Sequence, residues 1–124
     1  MNTITNENIR PFDVDGTLIF HPSAINGGRA PLINVYDPVT KRYIKMRPNH
    51  NMARLLREEK QRGSFILVWS RGGKEWARNV IIAMDLVACV DLVMSKPIVY
   101  FDDVPVKKWM KERVFIGPNE KYKP

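Results

Sequence analysis

The chain has 124 residues, 44% of them hydrophobic, and a formal net charge of +7 at pH 7. That length suits one domain with a modest core, and its apolar runs of five or six residues fall far short of the ~20 a membrane-spanning helix needs. The polar start, Met1 to Asn8, lacks the basic lead and apolar core of a secretory signal, and the single Cys89 excludes an internal disulfide; both fit a cytoplasmic protein in a reducing compartment.

Taken in chain order, residues 9–13 read as a short buried strand. Residues 18–31 are irregular, punctuated by Pro22, Gly27, Gly28 and Pro31. Residues 32–36 and 42–46 read as two strands of a hairpin around Asp37-Pro38-Val39-Thr40. Asn49 is placed to cap a helix in which Met52, Leu55 and Leu56 fall at helical spacing and which Gly63 ends. The continuous apolar run 65–69 predicts a strand buried on both faces. A second helix spans 73 to about 84, with Trp76, Val80, Ile81 and Met84 as a stripe read as core. Cys89, among Val87, Ala88 and Val90, reads as a buried, inert thiol. Residues 91–94 and 98–101 read as two more strands, 106–111 as a short helix and 114–116 as a last strand. Strands alternating with helices argue for a mainly parallel sheet covered on both faces. Ligands of such sheets bind beyond the carboxyl ends of the strands.

The segment Phe12-Asp13-Val14-Asp15-Gly16-Thr17-Leu18 carries the strongest chemical signal. Residues two apart in a strand share a face, so Asp13 and Asp15 face one site where the first strand ends. Two close carboxylates repel unless a hard cation neutralises them or one holds a proton. Asp-Gly is also ordinary turn chemistry. The calcium-loop version fails, because Leu18, Phe20 and Ala24 stand where further ligands would be required. Ser70 ends the 65–69 strand and Arg71-Gly72-Gly73 opens a helix. A hydroxyl, free backbone N–H groups and a helix N-terminus together suit an anion, although Ser-x-Gly-Gly alone is also a plain loop.

With Ser95-Lys96-Pro97 and Tyr100-Phe101-Asp102-Asp103 following in order, residues 10–104 resemble the haloacid dehalogenase superfamily of phosphatases. The small size and the wording around the motifs resemble short members found in bacteriophages. The resemblance implies an α/β, three-layer Rossmann-like fold with a central, mainly parallel sheet of order 3-2-1-4-5. Residues 1–124 would form one catalytic domain, with 18–47 a small flap or hairpin insertion and no room for a large cap. It implies Asp13 as nucleophile and Asp15 as the acid and base. Ser70, Arg71 and Lys96 would bind the phosphoryl group. Asp13, Asp15 and Asp102 would hold Mg2+, with Asp103 beside them. Only five residues separate Lys96 from Asp102, so the helix often found between these motifs is missing; Lys74 is the alternative cation.

The expected function is therefore a magnesium-dependent phosphomonoesterase acting on a nucleotide, sugar phosphate or other small ester. The positive charge is concentrated, with eight Lys/Arg against two Glu in 41–62 and six against two in 107–123, and so favours anionic partners. A nucleic-acid end phosphatase is one alternative and a non-catalytic nucleotide or phosphate binder another. Tyr36 and Tyr43 could stack on a base, but cross-strand packing is the favoured role for tyrosines in a hairpin, and the aromatic residues as a whole are mostly assigned to core positions rather than a stacking platform. An open site also admits a second subunit, so oligomerisation is compatible with the reading.

Overall fold

The computed structural model describes residues 4, 5 and 7–122; Lys123 of the second basic cluster and the first residues of the polar start lie outside them. The protein is α/β. A parallel sheet holds β1 (Ile9–Asp13), β5 (Phe65–Ser70) and β6 (Leu92–Ser95) in the order β1-β5-β6. A separate antiparallel sheet holds β2 (Ile19–Phe20), β3 (Ile33–Asp37) and β4 (Arg42–Pro48) in the order β2-β4-β3. Two helices, α1 (His50–Gln61) and α2 (Lys74–Ala83), complete the regular structure, with short 3-10 turns at Val87–Cys89 and Val106–Lys108. No helix among the described residues is long and apolar enough to cross a membrane.

β5 lies at the middle of the parallel sheet, and its Ile66, Leu67 and Val68 are buried, as a continuous apolar run requires. Ile66 and Val68 join Phe12, Val14 and Leu18 from the first strand and its turn, Met52 and Leu56 from α1, and Val80 and Ile81 from α2 in one core. Asn49 caps α1, its side-chain oxygen accepting from the Asn51 and Met52 amides. Gly63, at φ +93, turns the chain out of that helix in the left-handed region that favours glycine. Cys89 is half-buried in its 3-10 turn and packs against the core.

The 3-2-1-4-5 order is not what the described residues form. Its central strand would be β1, yet β1 is an edge. Proline gives one physical reason. The Asn8 carbonyl accepts from the Phe65 amide at 2.7 Å, so by strand alternation Arg10 and Phe12 direct their backbone groups at β5, while Ile9, Pro11 and Asp13 direct theirs outward. Pro11 has no N–H, which costs nothing on an open edge and would cost a ladder bond inside a sheet. Chain length gives the second. Only Lys96 and Pro97 lie between β6 and residue 98, whereas a parallel return needs a crossover of about a dozen residues. Accordingly 98–101 and 114–116 are not strands, and the helix expected at 106–111 shrinks to the turn Val106–Lys108.

The hairpin forms where expected. At its turn, the Asp37 carboxylate accepts from the Val39 amide at 3.0 Å and the Thr40 hydroxyl at 2.9 Å, and Lys41 takes φ +59. Val35 and Ile44 pair across the strands on the face that joins the core; Tyr36 and Tyr43 pair on the other.

Candidate active site

The site is assembled at the carboxyl ends of β1, β5 and β6. After Asp13 the chain makes a tight turn in which the Val14 carbonyl accepts from the amides of Thr17, Leu18 and Ile19 at 3.1, 2.9 and 3.1 Å. Val14 and Leu18 are fully buried. That anchors the turn in the core and leaves the flanking carboxylates toward solvent. Gly16 supports the turn at φ +80.

Asp13 is half-buried. Thr17 donates its hydroxyl to Asp13 Oδ2 at 3.3 Å, and Lys96 Nζ lies 3.7 Å from Asp13 Oδ1. Lys96 is held from two directions: its amide donates to the Ser70 carbonyl at 2.8 Å, and its ammonium sits 5.9 Å from the centre of the Trp69 ring. The short Ser-Lys-Pro connection thus brings a cation to the first aspartate without an intervening helix. The alternative, Lys74, is exposed at the start of α2, and its amide is bonded to Ser95 Oγ at 3.0 Å.

Asp15 is held by two elements. Trp76 Nε1 donates to both carboxylate oxygens, at 3.1 and 3.2 Å, and Ser70 Oγ lies 3.4 Å from Asp15 Oδ2. Trp76 is the Asp15 partner that the helix pattern concealed, since a tryptophan on an apolar stripe reads as core. The usable signal was its position in the first turn of α2, three residues after Gly73, at the ligand-binding end of the sheet. Gly72 allows the approach: a Cβ there would meet Trp76 Cδ1 at 3.1 Å and Ser70 Oγ at 3.3 Å.

The loop after β5 departs from the expected cradle of free amides. Ser70 is fully buried; its Oγ accepts from the Gly72 amide at 2.9 Å, and its carbonyl accepts from the Gly73 amide at 3.1 Å. With the Lys74 amide also engaged, three backbone donors of this turn are already partnered. Arg71 is exposed beside them with no side-chain partner among the described residues.

Asp102 and Asp103 are exposed and are not tied to Asp13 or Asp15 by a hydrogen bond or ion pair. Asp102 Oδ1 instead accepts from the Val104 amide at 3.1 Å. That bond, with a second from Asp103, holds the Asp102 carboxyl below the usual carboxylate range. No group of three His, Cys, Asp or Glu side chains that could hold a metal forms among the described residues. What remains is a hard-oxygen pair, Asp13 and Asp15, facing solvent with one ammonium beside it. That donor set fits magnesium in its sparse mode, where one or two carboxylates are completed by water and substrate phosphate.

The hairpin turn overhangs this site. A cavity of about 240 Å³ lies between Asp15, Gly72 and Trp76 on one side and Asp37, Pro38, Val39 and Ile44 on the other. A scan against protein-family models and searches of curated proteins and of solved structures each returned no match.

Proposed function

We propose that this protein is a phosphomonoesterase that works through an aspartyl phosphate on Asp13 and requires magnesium. The observation that carries the reading is the Asp13 carboxylate at a strand end with the Lys96 ammonium 3.7 Å from it, next to a second aspartate fixed by Trp76. A phosphate ester repels an anionic nucleophile, so a catalyst must supply positive charge and alignment. Lys96 supplies the charge and the rigid turn after β1 the alignment. The reading needs only adjacent strands β1 and β5, which bring Asp13 and Ser70 to one end of the sheet, and not a five-strand order.

In the first step an Asp13 oxygen attacks phosphorus, the bond from phosphorus to the ester oxygen breaks, and Asp15 gives that oxygen a proton. In the second, Asp15 takes a proton from water, the water oxygen attacks phosphorus, and the bond to Asp13 breaks to release inorganic phosphate. Trp76 keeps the Asp15 carboxyl directed at the reacting oxygen in both steps. Lys96 and Arg71 offset the charge of the phosphoryl oxygens, while the buried Ser70 hydroxyl, expected to bind phosphate, instead helps hold Asp15. Asp13 and the Asp15 backbone carbonyl, with Asp102 as the ligand the resemblance implies, would hold a magnesium ion, which would supply further charge neutralisation.

The test is turnover of p-nitrophenyl phosphate and a panel of phosphorylated metabolites in magnesium, calcium and chelator. Magnesium-dependent release of phosphate is expected, with calcium suppressing it because its longer, more numerous ligands displace the attacking oxygen. Asp13→Asn should lower the rate on the order of 10³-fold or more without changing the melting temperature. Phosphate binding without turnover under all conditions would replace this reading with a non-catalytic binder.

A further inference from the structure

The cavity at Asp15, about 240 Å³, is smaller than the roughly 300–1,000 Å³ that encloses a typical small ligand. Asp15 lines it but Asp13 and Lys96 do not, so a substrate whose phosphate is held at Asp13 must lie largely on the surfaces around it. Those surfaces are aromatic and basic, against the expectation that the aromatic residues are claimed by the core. On the outer face of the β3–β4 hairpin, the rings of Tyr36 and Tyr43 meet edge to face at 5.3 Å. Cross-strand packing therefore exists, yet Tyr43 remains 69% exposed. Lys45 follows two residues later on the same face, and Lys41 stands in the turn whose neighbours line the Asp15 cavity. The segment leaving β6 at Lys96 carries a second such surface: Phe101 is 97% exposed and Trp109 49%, beside Lys107 and Lys108.

We propose that the substrate of this site is the phosphorylated end of a single-stranded nucleic acid, its terminal phosphate at Asp13 and its following nucleotides crossing the hairpin, whose Ile44 face lines the cavity, to stack on the tyrosines of the opposite face. The inference rests on the phosphatase reading of Asp13 and adds the substrate class to it. Exposed aromatic faces interleaved with Lys and Arg match a chain that alternates bases with phosphates. An acidic peptide would use the charge and leave the rings without partners. The net charge of +7 supplies the sequence-independent attraction that such a polymer requires.

The experiment compares kcat/KM for p-nitrophenyl phosphate, a mononucleotide and a terminally phosphorylated hexanucleotide, in deoxy and ribo form, at low and high salt. The expected result is a rise of about tenfold or more from mononucleotide to hexanucleotide. Replacing Lys41 and Lys45 together by Ala should reduce the salt slope of hexanucleotide binding, log K against log[salt], by about 1.4, or about 0.7 for each phosphate no longer neutralised. Tyr43→Ala should lower the hexanucleotide-to-mononucleotide ratio about five- to a hundredfold. Whichever sugar gives the larger rise identifies DNA or RNA as the source of the end. Hydrolysis of p-nitrophenyl phosphate with a flat length profile, or a phosphopeptide outperforming the hexanucleotide, would overturn this inference and leave the phosphatase reading standing. Absence of all turnover would defeat the phosphatase reading. Hexanucleotide binding to Asp13→Asn, followed by fluorescence anisotropy, then decides the surface separately: tight, salt-sensitive, length-dependent binding supports it and its absence overturns it.

Discussion

The indole N–H of Trp76 is shared between the two carboxylate oxygens of Asp15, at 3.1 and 3.2 Å. A bond of this kind fixes the plane of a carboxyl group that would otherwise rotate freely at an exposed turn. Trp76→Phe keeps most of the ring and removes the donor. A hydrogen bond to a charged group contributes about 1.5–3 kcal/mol, and part of it is recovered by water at an open site. The variant should therefore lose about tenfold in kcat, with a smaller change in KM and a shifted pH profile. A change in KM alone would mark Trp76 as a wall of the cavity rather than a positioning residue.

Lys96 and Lys74 are the two lysines that sequence leaves in competition, and their surroundings separate them. Lys96 is the one paired with Asp13, at 3.7 Å. Both partners are about one-third exposed, so the pair contributes little to stability, about 1 kcal/mol at most. Its worth lies in the transition state, where charge gathers on the phosphoryl oxygens. Lys96→Ala should lower kcat/KM by about 10²-fold or more with little loss of melting temperature, and Lys96→Arg should recover part of it. Lys74→Ala should stay within about twofold of wild type. The reverse order in steady-state kinetics would exchange their roles.

How much was legible from sequence depends on whether the signal was local. The Asn49 cap, the Asp37 turn and the apolar run of β5 each declare themselves within a few residues, and each forms. The 98–101 run is just as apolar, but no local pattern reveals that two residues cannot carry the chain back across a sheet. Pro11 was a readable sign that β1 lies at an edge, because the missing amide is tolerated there; the motif beside it drew the reading toward a central strand instead. Asp13, Asp15, Ser70 and Lys96 were legible as neighbours because motif chemistry and strand ends coincide. Trp76 was not, since its partner is 61 residues away in the chain and helical spacing alone assigns it to the core.

Asn49 links three parts of the fold. It is fully buried, caps α1, and donates its amide to the carbonyls of Thr17 at 3.0 Å and Ile116 at 2.9 Å. The turn after Asp13 and the C-terminal segment are therefore both fastened to the start of α1. Asn49→Ala removes the cap and strands two acceptors, for an expected loss of about 2–4 kcal/mol in urea unfolding. Asn49→Ser keeps a capping oxygen and should recover about 1 kcal/mol of that. Equal loss in both variants would mean that the two carbonyl bonds carry the whole effect.

Asp91 makes a pH-dependent fastening at the far end of the sheet. Burial disfavours its ionised form, but the Lys60 ammonium at 2.7 Å from Oδ1 and the Ile66 amide at 2.7 Å from Oδ2 outweigh burial and hold its carboxyl below the usual range. A carboxyl depressed on folding contributes stability that is present above its unfolded pKa, near 4, and is lost as pH falls through the folded value. The pair is partly exposed, with Lys60 at 36% and Asp91 at 25%, so solvent screening limits its share to about 1 kcal/mol. Asp91→Asn should be less stable than wild type by about 1–2 kcal/mol at pH 7, since the amide bond to Ile66 is weakened as well. The gap should narrow as pH falls below about 4, where the wild-type carboxylate takes up its proton. Urea unfolding of both proteins across that range measures it. A gap that stays constant with pH would show that Asp91 acts through packing and neutral hydrogen bonding alone.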